Sequence, residues 1–175
     1  MNNNGTPAQE TKRFSPDIVF HKPKSEGGGC ASKWQLSDKK HESKYEPYRP
    51  FLVLAAQSGK DEHGNSRFDW QNAVKVKLGE SDIGEMLAVL DGIQTAAGAT
   101  KKGTGLFHQS PSGGNKSINF EQSKGGEGYY LRVSAQSQNR EVVTLSHKLT
   151  HGEGRLLKLF LEHSFLKMRA FLAGE

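Results

Sequence analysis

The chain has 175 residues and a mass of 19.3 kDa, enough for one domain with a real core, yet only 34% of its residues are hydrophobic and its mean hydropathy is −0.69. Its 20 glycines point to a β-rich domain with many turns rather than a compact helical bundle. A net charge of +5 favours polyanionic partners, nucleic acid or anionic lipid, while the single Cys30 excludes a disulfide framework and any cysteine-based zinc site within one chain.

The first residues, Met1 to about Pro16, are polar and rich in Asn, Gly, Thr and Gln, the composition of a disordered tail. Residues 17–175 are expected to form a single domain. No apolar stretch approaches the roughly 20 residues of a membrane span, and neither a signal peptide nor an Arg-rich transit segment is legible. The lone cysteine suits a reducing compartment. These features together predict a soluble protein of a bacterial-type cytoplasm, associated with the nucleoid, or an organelle protein after processing.

From Ile18 a β pattern begins, broken by Pro23 and Gly27-Gly28-Gly29. Cys30 to Leu36 alternates, with Cys30, Ser32, Trp34 and Leu36 on one face and Ala31, Lys33 and Gln35 on the other. Ser37 to Arg49 is charged and carries Pro47, so it reads as a loop. Phe51-Leu-Val-Leu-Ala-Ala56 is a continuous apolar run, a strand buried on both faces. Gln57 to Ser66 reads as a polar hairpin loop. Arg67 to Trp70 and Val74 to Leu78 form the next strand region, with Val74, Val76 and Leu78 inward and Lys75 and Lys77 outward. Glu80 to Glu85 opens a short helix, Ser81 serving as its N-cap, with Ile83, Leu87 and Leu90 at helical spacing.

After a loop from Gly92 to Gly105 the plan repeats. Leu106 to His108, Lys116 to Gln122, Tyr129 to Gln136 and Glu141 to Leu145 are strand candidates between Gly, Ser and Asn turns. Thr150-His-Gly-Glu153 has capping-box spacing, and an apolar-rich helix runs on toward Leu172. The order is ββββα twice, an α+β fold of two packed antiparallel four-stranded sheets.

Catalytic patterns are absent. His147 and His151 are four apart but straddle a helix start and lack the further ligands zinc needs. Ser58-Gly59-Lys60 ends like a phosphate-binding loop without its first glycine, and no G-x-S-x-G elbow occurs. The chain reads as a non-enzyme with no cofactor and no metal. What stands out is cations interleaved with aromatics: Lys33 beside Trp34, Lys75 and Lys77 with Phe68 and Trp70, Lys116 near Phe120, and Arg132 next to Tyr130. Single-stranded nucleic acid asks for this pair of features, cations for phosphates and ring faces for unpaired bases. The same lysines would also keep a half-buried sheet soluble.

Phe68-Asp-Trp70, then Val74 to Leu78, then Ser81-Asp-Ile-Gly84-Glu85 resemble the Tyr-Asp-Trp strand and Glu-Ile-Gly helix of the Whirly single-stranded DNA-binding family. Leu106-Phe-His108 with Pro111 is similar to that family's Phe-Phe-His-Asp-Pro strand, and Tyr129 to Val133 and Glu141 to Leu145 follow in matching order. The resemblance spans roughly Gly27 to Gly174 and extends more distantly to guide-RNA-binding annealing factors and to the positive-coactivator single-strand binders. It implies two packed antiparallel sheets per subunit, a homotetramer built through the helices, and single-stranded DNA, or RNA, running along the sheets with little sequence preference. The family's Lys-Gly-Lys-Ala-Ala-Leu segment stands here as Gly27-Gly-Gly-Cys-Ala-Ser32. Neither lysine is present, so the resemblance does not carry assembly of tetramers into larger particles; Lys24 and Lys33 flank the segment.

The expected contacts are Lys33, Trp34, Lys75, Lys77, Lys116, Tyr130 and Arg132, with Phe68, Trp70, Phe107 and His108 stacking or forming walls. The last helix, with Leu156, Leu157, Leu159, Phe160, Leu161, Phe165, Leu166, Met168, Phe171 and Leu172, carries more apolar surface than one buried stripe needs. Part of it is expected to meet another subunit. An annealing factor for RNA on the same fold, and a scaffold that has kept the fold without the ligand, are the rival readings.

Overall fold

The computed structural model describes residues 17–37, 48–100, 103–109, 114–137 and 141–169. The tail expected over residues 1–16 lies outside them, as do most of the expected loop after Ser37, Pro111, Phe171 and Leu172.

Alternation builds the first sheet. Strands β1 (Ile18–Lys22), β2 (Cys30–Ser37), β3 (Arg49–Lys60) and β4 (Ser66–Phe68) lie side by side in that order, and β5 (Val74–Lys77) also pairs with β3, all antiparallel. The sheet has five strands where four were expected, because β4 and β5 occupy successive stretches of one long strand, β3. Strand β3 runs on through Gln57 to Lys60, a segment the polar composition had suggested was loop, with a register irregularity between Gln57 and Gly59. The turn between β1 and β2 is strapped down by Gln57. Its Oε1 accepts the N–H groups of Lys24 (2.9 Å) and Gly29 (3.2 Å), and its Nε2 donates to the Lys24 carbonyl (3.1 Å). A Cβ on Gly29 would lie 2.5 Å from both that Oε1 and the Lys22 carbonyl, so only glycine fits.

Helix α1 (Glu80–Leu90) follows. Its N-cap is Gly79 rather than Ser81, and the Asp82 carboxylate accepts the Gly79 N–H at 2.7 Å. This is the N3 half of a capping box; Gly79 has no side chain to accept an N–H of the first turn, and the acid also suits the positive helix end. Ile83, Met86 and Val89 are buried, with Leu87 and Leu90 packed at the margin.

The second sheet orders β6 (Leu106–Gln109), β7 (Asn115–Gln122), β8 (Tyr129–Gln136) and β9 (Val142–Leu149) antiparallel. Strand β9 extends four residues past its expected end, since Ser146 to Leu149 all find partners on β8. Helix α2 (His151–Met168) starts with the expected capping box: Thr150 Oγ1 accepts the Glu153 N–H (3.2 Å) and Glu153 Oε2 accepts the Thr150 N–H (2.7 Å). Arg169 pairs with Glu80 and Lys158 with Asp91, so the two helices run antiparallel.

The inward rows of both sheets and the buried sides of both helices form one core, in which Trp34, Leu52, Ile118, Phe120 and Leu131 are among the largest members. Strand β9 touches β1, β2 and β3, and the Cys30 thiol donates to the Ser146 carbonyl at 3.3 Å. The Lys22 ammonium grips both oxygens of Glu153, at 2.6 and 2.7 Å, and so ties β1 to the start of α2.

Candidate nucleic-acid interface

Period-two alternation turns half of each strand of the first sheet away from the core, and the pairing register aligns those halves into rows. One row reads Val19, Lys33, Val53, Lys75, and the next reads Gln35, Phe51, Lys77. Three of the expected cations, Lys33, Lys75 and Lys77, therefore share one face although they come from strands far apart in sequence. Each of two of them sits above a ring: Lys33 Nζ is 5.1 Å from the centroid of Trp70 and Lys75 Nζ is 4.0 Å from that of Phe51. Such cation–π contacts hold a lysine over an aromatic face without neutralising its charge.

At one end of this face His21 and Phe68 pack ring to ring at 5.3 Å. Together with Arg67 and Trp70 they line an open recess of about 740 Å3. Phe68 and Trp70, expected as wall or stacking residues, are half-buried there.

A cleft of about 450 Å3 separates the edges of the two sheets, lined by Lys75 and Lys77 from β5, the N-cap Gly79 and Asp82 of α1, His108 and Gln109 from β6, and Lys116 from β7. Lys116 reaches across it, its Nζ donating to the Lys75 carbonyl at 2.9 Å. His108 Nε2 lies 3.5 Å from Asp82 Oδ2, the acidic group of the cleft.

Trp34 must be corrected. It was expected beside Lys33 as a stacking contact, but it is 0% exposed, in register with Ile18 and Leu52 on the core face. Neighbours along a strand point to opposite faces, so Lys33 and Trp34 cannot form one cation–aromatic surface. Lys33 finds Trp70 instead. Phe120, read beside Lys116, is likewise core, stacked on Tyr129 at 5.6 Å.

Arg132 and Tyr130 do not join the lysine face. They lie on the outward side of the second sheet, the guanidinium 5.9 Å from the Tyr130 ring, with Lys148 opposite Tyr130 in register. Phe107 also faces outward on that sheet and is strongly exposed. The expected residues thus fall into two patches, one per sheet, joined at the cleft by Lys116 and His108.

Phe51 was missed. It had been read within a run buried on both faces, yet its ring supports Lys75 on the outward side. The signal that would have exposed it is the register of β3 against β5, which a single sequence does not display.

No protein-family model matches the chain, and no curated protein matches it in sequence. Solved structures do match. One is WHY1 from Arabidopsis thaliana, at 16% identity and a TM-score of 0.71, covering 92% of this chain and 89% of that one. Another is the plant transcriptional regulator PBF-2, at 15% identity and a TM-score of 0.68, covering 93% and 87%. A third is a guide-RNA-binding protein complex bound to a guide RNA, at 14% identity and a TM-score of 0.61, covering 93% and 94%. The fold expected from the Whirly resemblance is the fold found, two antiparallel sheets each followed by a helix.

Proposed function

We propose that this chain binds single-stranded nucleic acid, DNA in the first instance, along the outward face of the first sheet and into the cleft between the sheets. It acts by binding, not catalysis, and with little sequence preference along most of that path. The carrying observation is the juxtaposition of Lys33, Lys75 and Lys77 with the rings of Trp70 and Phe51 on one face. Ammonium groups there meet phosphates while ring faces stack bases, which a duplex keeps inside its own stack. The fold shared with a protein solved on its guide RNA supports the same reading and favours RNA as the second candidate ligand.

Fluorescence anisotropy with labelled oligo(dT), its duplex and a matched RNA tests this at low salt. Tight binding of the single strand over the duplex is expected, and DNA against RNA competition ranks the two ligands. Equal affinity for single strand and duplex would sink the proposal.

The working unit is a homotetramer built on α2. Leu156, Leu159 and Leu166 are exposed, and their spacing places them on one side of the helix, opposite the buried Leu157 and Leu161. Light scattering should give four times the chain mass, and Leu156→Glu with Leu159→Glu should give the monomer with its helix content intact. A monomeric parent protein contradicts the assembly.

A further inference from the structure

The cleft between the sheets holds a charge that a phosphate should avoid. Asp82 lines it together with Lys75, Lys77, Lys116 and His108. The fold ties this carboxylate in place, because Oδ2 accepts the Gly79 N–H at 2.7 Å at the start of α1. The same oxygen lies 3.5 Å from His108 Nε2, within ion-pair range but longer than a hydrogen bond. That ring nitrogen is buried and has no hydrogen-bond partner. The charged groups around the imidazole come from three elements. Asp82 faces it from α1, Lys116 stands opposite it in register on β7, and Lys75 and Lys77 line the same cleft from β5. Glu80, the other acid in the first turn of α1, is engaged with Arg169.

We propose that the cleft takes up a proton, on His108, as it takes up a phosphate of the bound strand. The proposal rests on the single-strand reading above and adds to it how the charge of the cleft is set. With the imidazole neutral, a phosphate brought beside Lys75 and Lys77 also meets the Asp82 carboxylate, and like charges repel. A proton on Nε2 turns the 3.5 Å approach into a charge-assisted pair with Asp82 Oδ2. It thereby offsets the carboxylate and raises the positive charge of the cleft by one. A phosphate held nearby favours the charged form of an imidazole, so binding and protonation support each other. The proton comes from solvent. The other histidine on the proposed path, His21, packs against Phe68 outside the cleft, where no carboxylate pairs with it in this way.

The test uses the full chain and labelled oligo(dT) at constant salt between about pH 8 and pH 5.5, the range in which histidines change charge. Far-UV circular dichroism at each pH confirms the fold. Affinity should rise as pH falls, by about threefold to tenfold in all, since one linked proton contributes at most about tenfold per pH unit. Titration calorimetry near neutral pH, in two buffers of different ionisation enthalpy, should report proton uptake on binding. His108→Gln should bind with an affinity that is flat over the range and should take up no proton. Asp82→Asn keeps an oxygen for the Gly79 N–H; it should bind severalfold tighter than the parent protein at the alkaline end and show a weaker pH dependence. His21→Gln should keep the dependence of the parent protein. A parent affinity that is flat with pH, a dependence unchanged in His108→Gln, or one that disappears with His21 instead overturns the proton coupling and leaves the single-strand reading standing. A parent protein that binds no single strand at any of these pH values overturns that reading.

Discussion

The Nζ of Lys116, on the second sheet, donates to the main-chain carbonyl of Lys75, on the first, at 2.9 Å. This bond spans the cleft where the edges of β5 and β6 face each other, and it places a third ammonium beside Lys75 and Lys77. A lysine that bridges two sheets through a carbonyl keeps its full positive charge, because the acceptor is neutral.

Replacing Lys116 by Met keeps the side-chain length and removes both the bond and the charge. The bond is solvent-exposed, so stability should fall by no more than about 1 kcal/mol. Binding of oligo(dT) should weaken severalfold. Urea unfolding and anisotropy on the same sample separate the two effects, and unchanged affinity would take Lys116 out of the path of the strand.

The two tryptophans should behave oppositely. Trp34→Ala removes a fully buried side chain and should cost about 3–5 kcal/mol, enough to unfold much of the protein. Trp70→Ala removes a half-buried ring under Lys33 and should leave folding largely intact while costing about 1–3 kcal/mol in binding. Chemical denaturation and oligo(dT) titration of each variant check the assignment. A stable Trp34→Ala protein with lost binding would reverse it.

His147 makes stability depend on pH. Burial holds its imidazole below the ordinary histidine range, and the nearby Lys22 ammonium pushes the same way, against the Lys148 carbonyl and Glu153. The unfolded chain takes up a proton near pH 6.5 that the folded chain refuses, so stability declines as pH falls through about 6.5 toward the lower folded value. Urea midpoints at neutral and mildly acidic pH should differ in the parent protein. The difference should shrink in His147→Leu, and an identical difference in both would remove His147 as its source.

Cys30 should be inert in the native state. Its thiol is buried and burial pushes its pKa up to about 11, with the Lys24 charge opposing only in part. The reactive thiolate is therefore scarce at pH 8. Maleimide labelling followed by mass spectrometry should be slow in buffer and fast in urea. Fast native labelling would show that the β2 to β9 junction opens.

Strong alternation was enough to orient some of these residues and not others. Val74 to Leu78 declared its inward side by period two, which turned Lys75 and Lys77 outward, as found, whereas the alternation of Cys30 to Leu36 separated two faces without naming the inner one. The same alternation already separated Lys33 from Trp34, and pairing them by adjacency overrode it. Phe51 sits in a run apolar on both faces, where periodicity carries no orientation. Ser146, His147 and Lys148 lie past the expected strand end at Leu145, but strand β8 gives them ladder partners fourteen to eighteen residues away in the chain. Faces were legible where one strand decided them; rows across strands were not.

The central claim is that Lys33, Lys75 and Lys77 meet phosphates of a single strand. Its most direct test is the slope of log Kd against log salt for oligo(dT), since each phosphate contact on a single strand adds about 0.7 to that slope. The variant with all three lysines changed to Ala should remain folded and give a slope shallower by about 2. A slope equal to that of the parent protein would contradict the account.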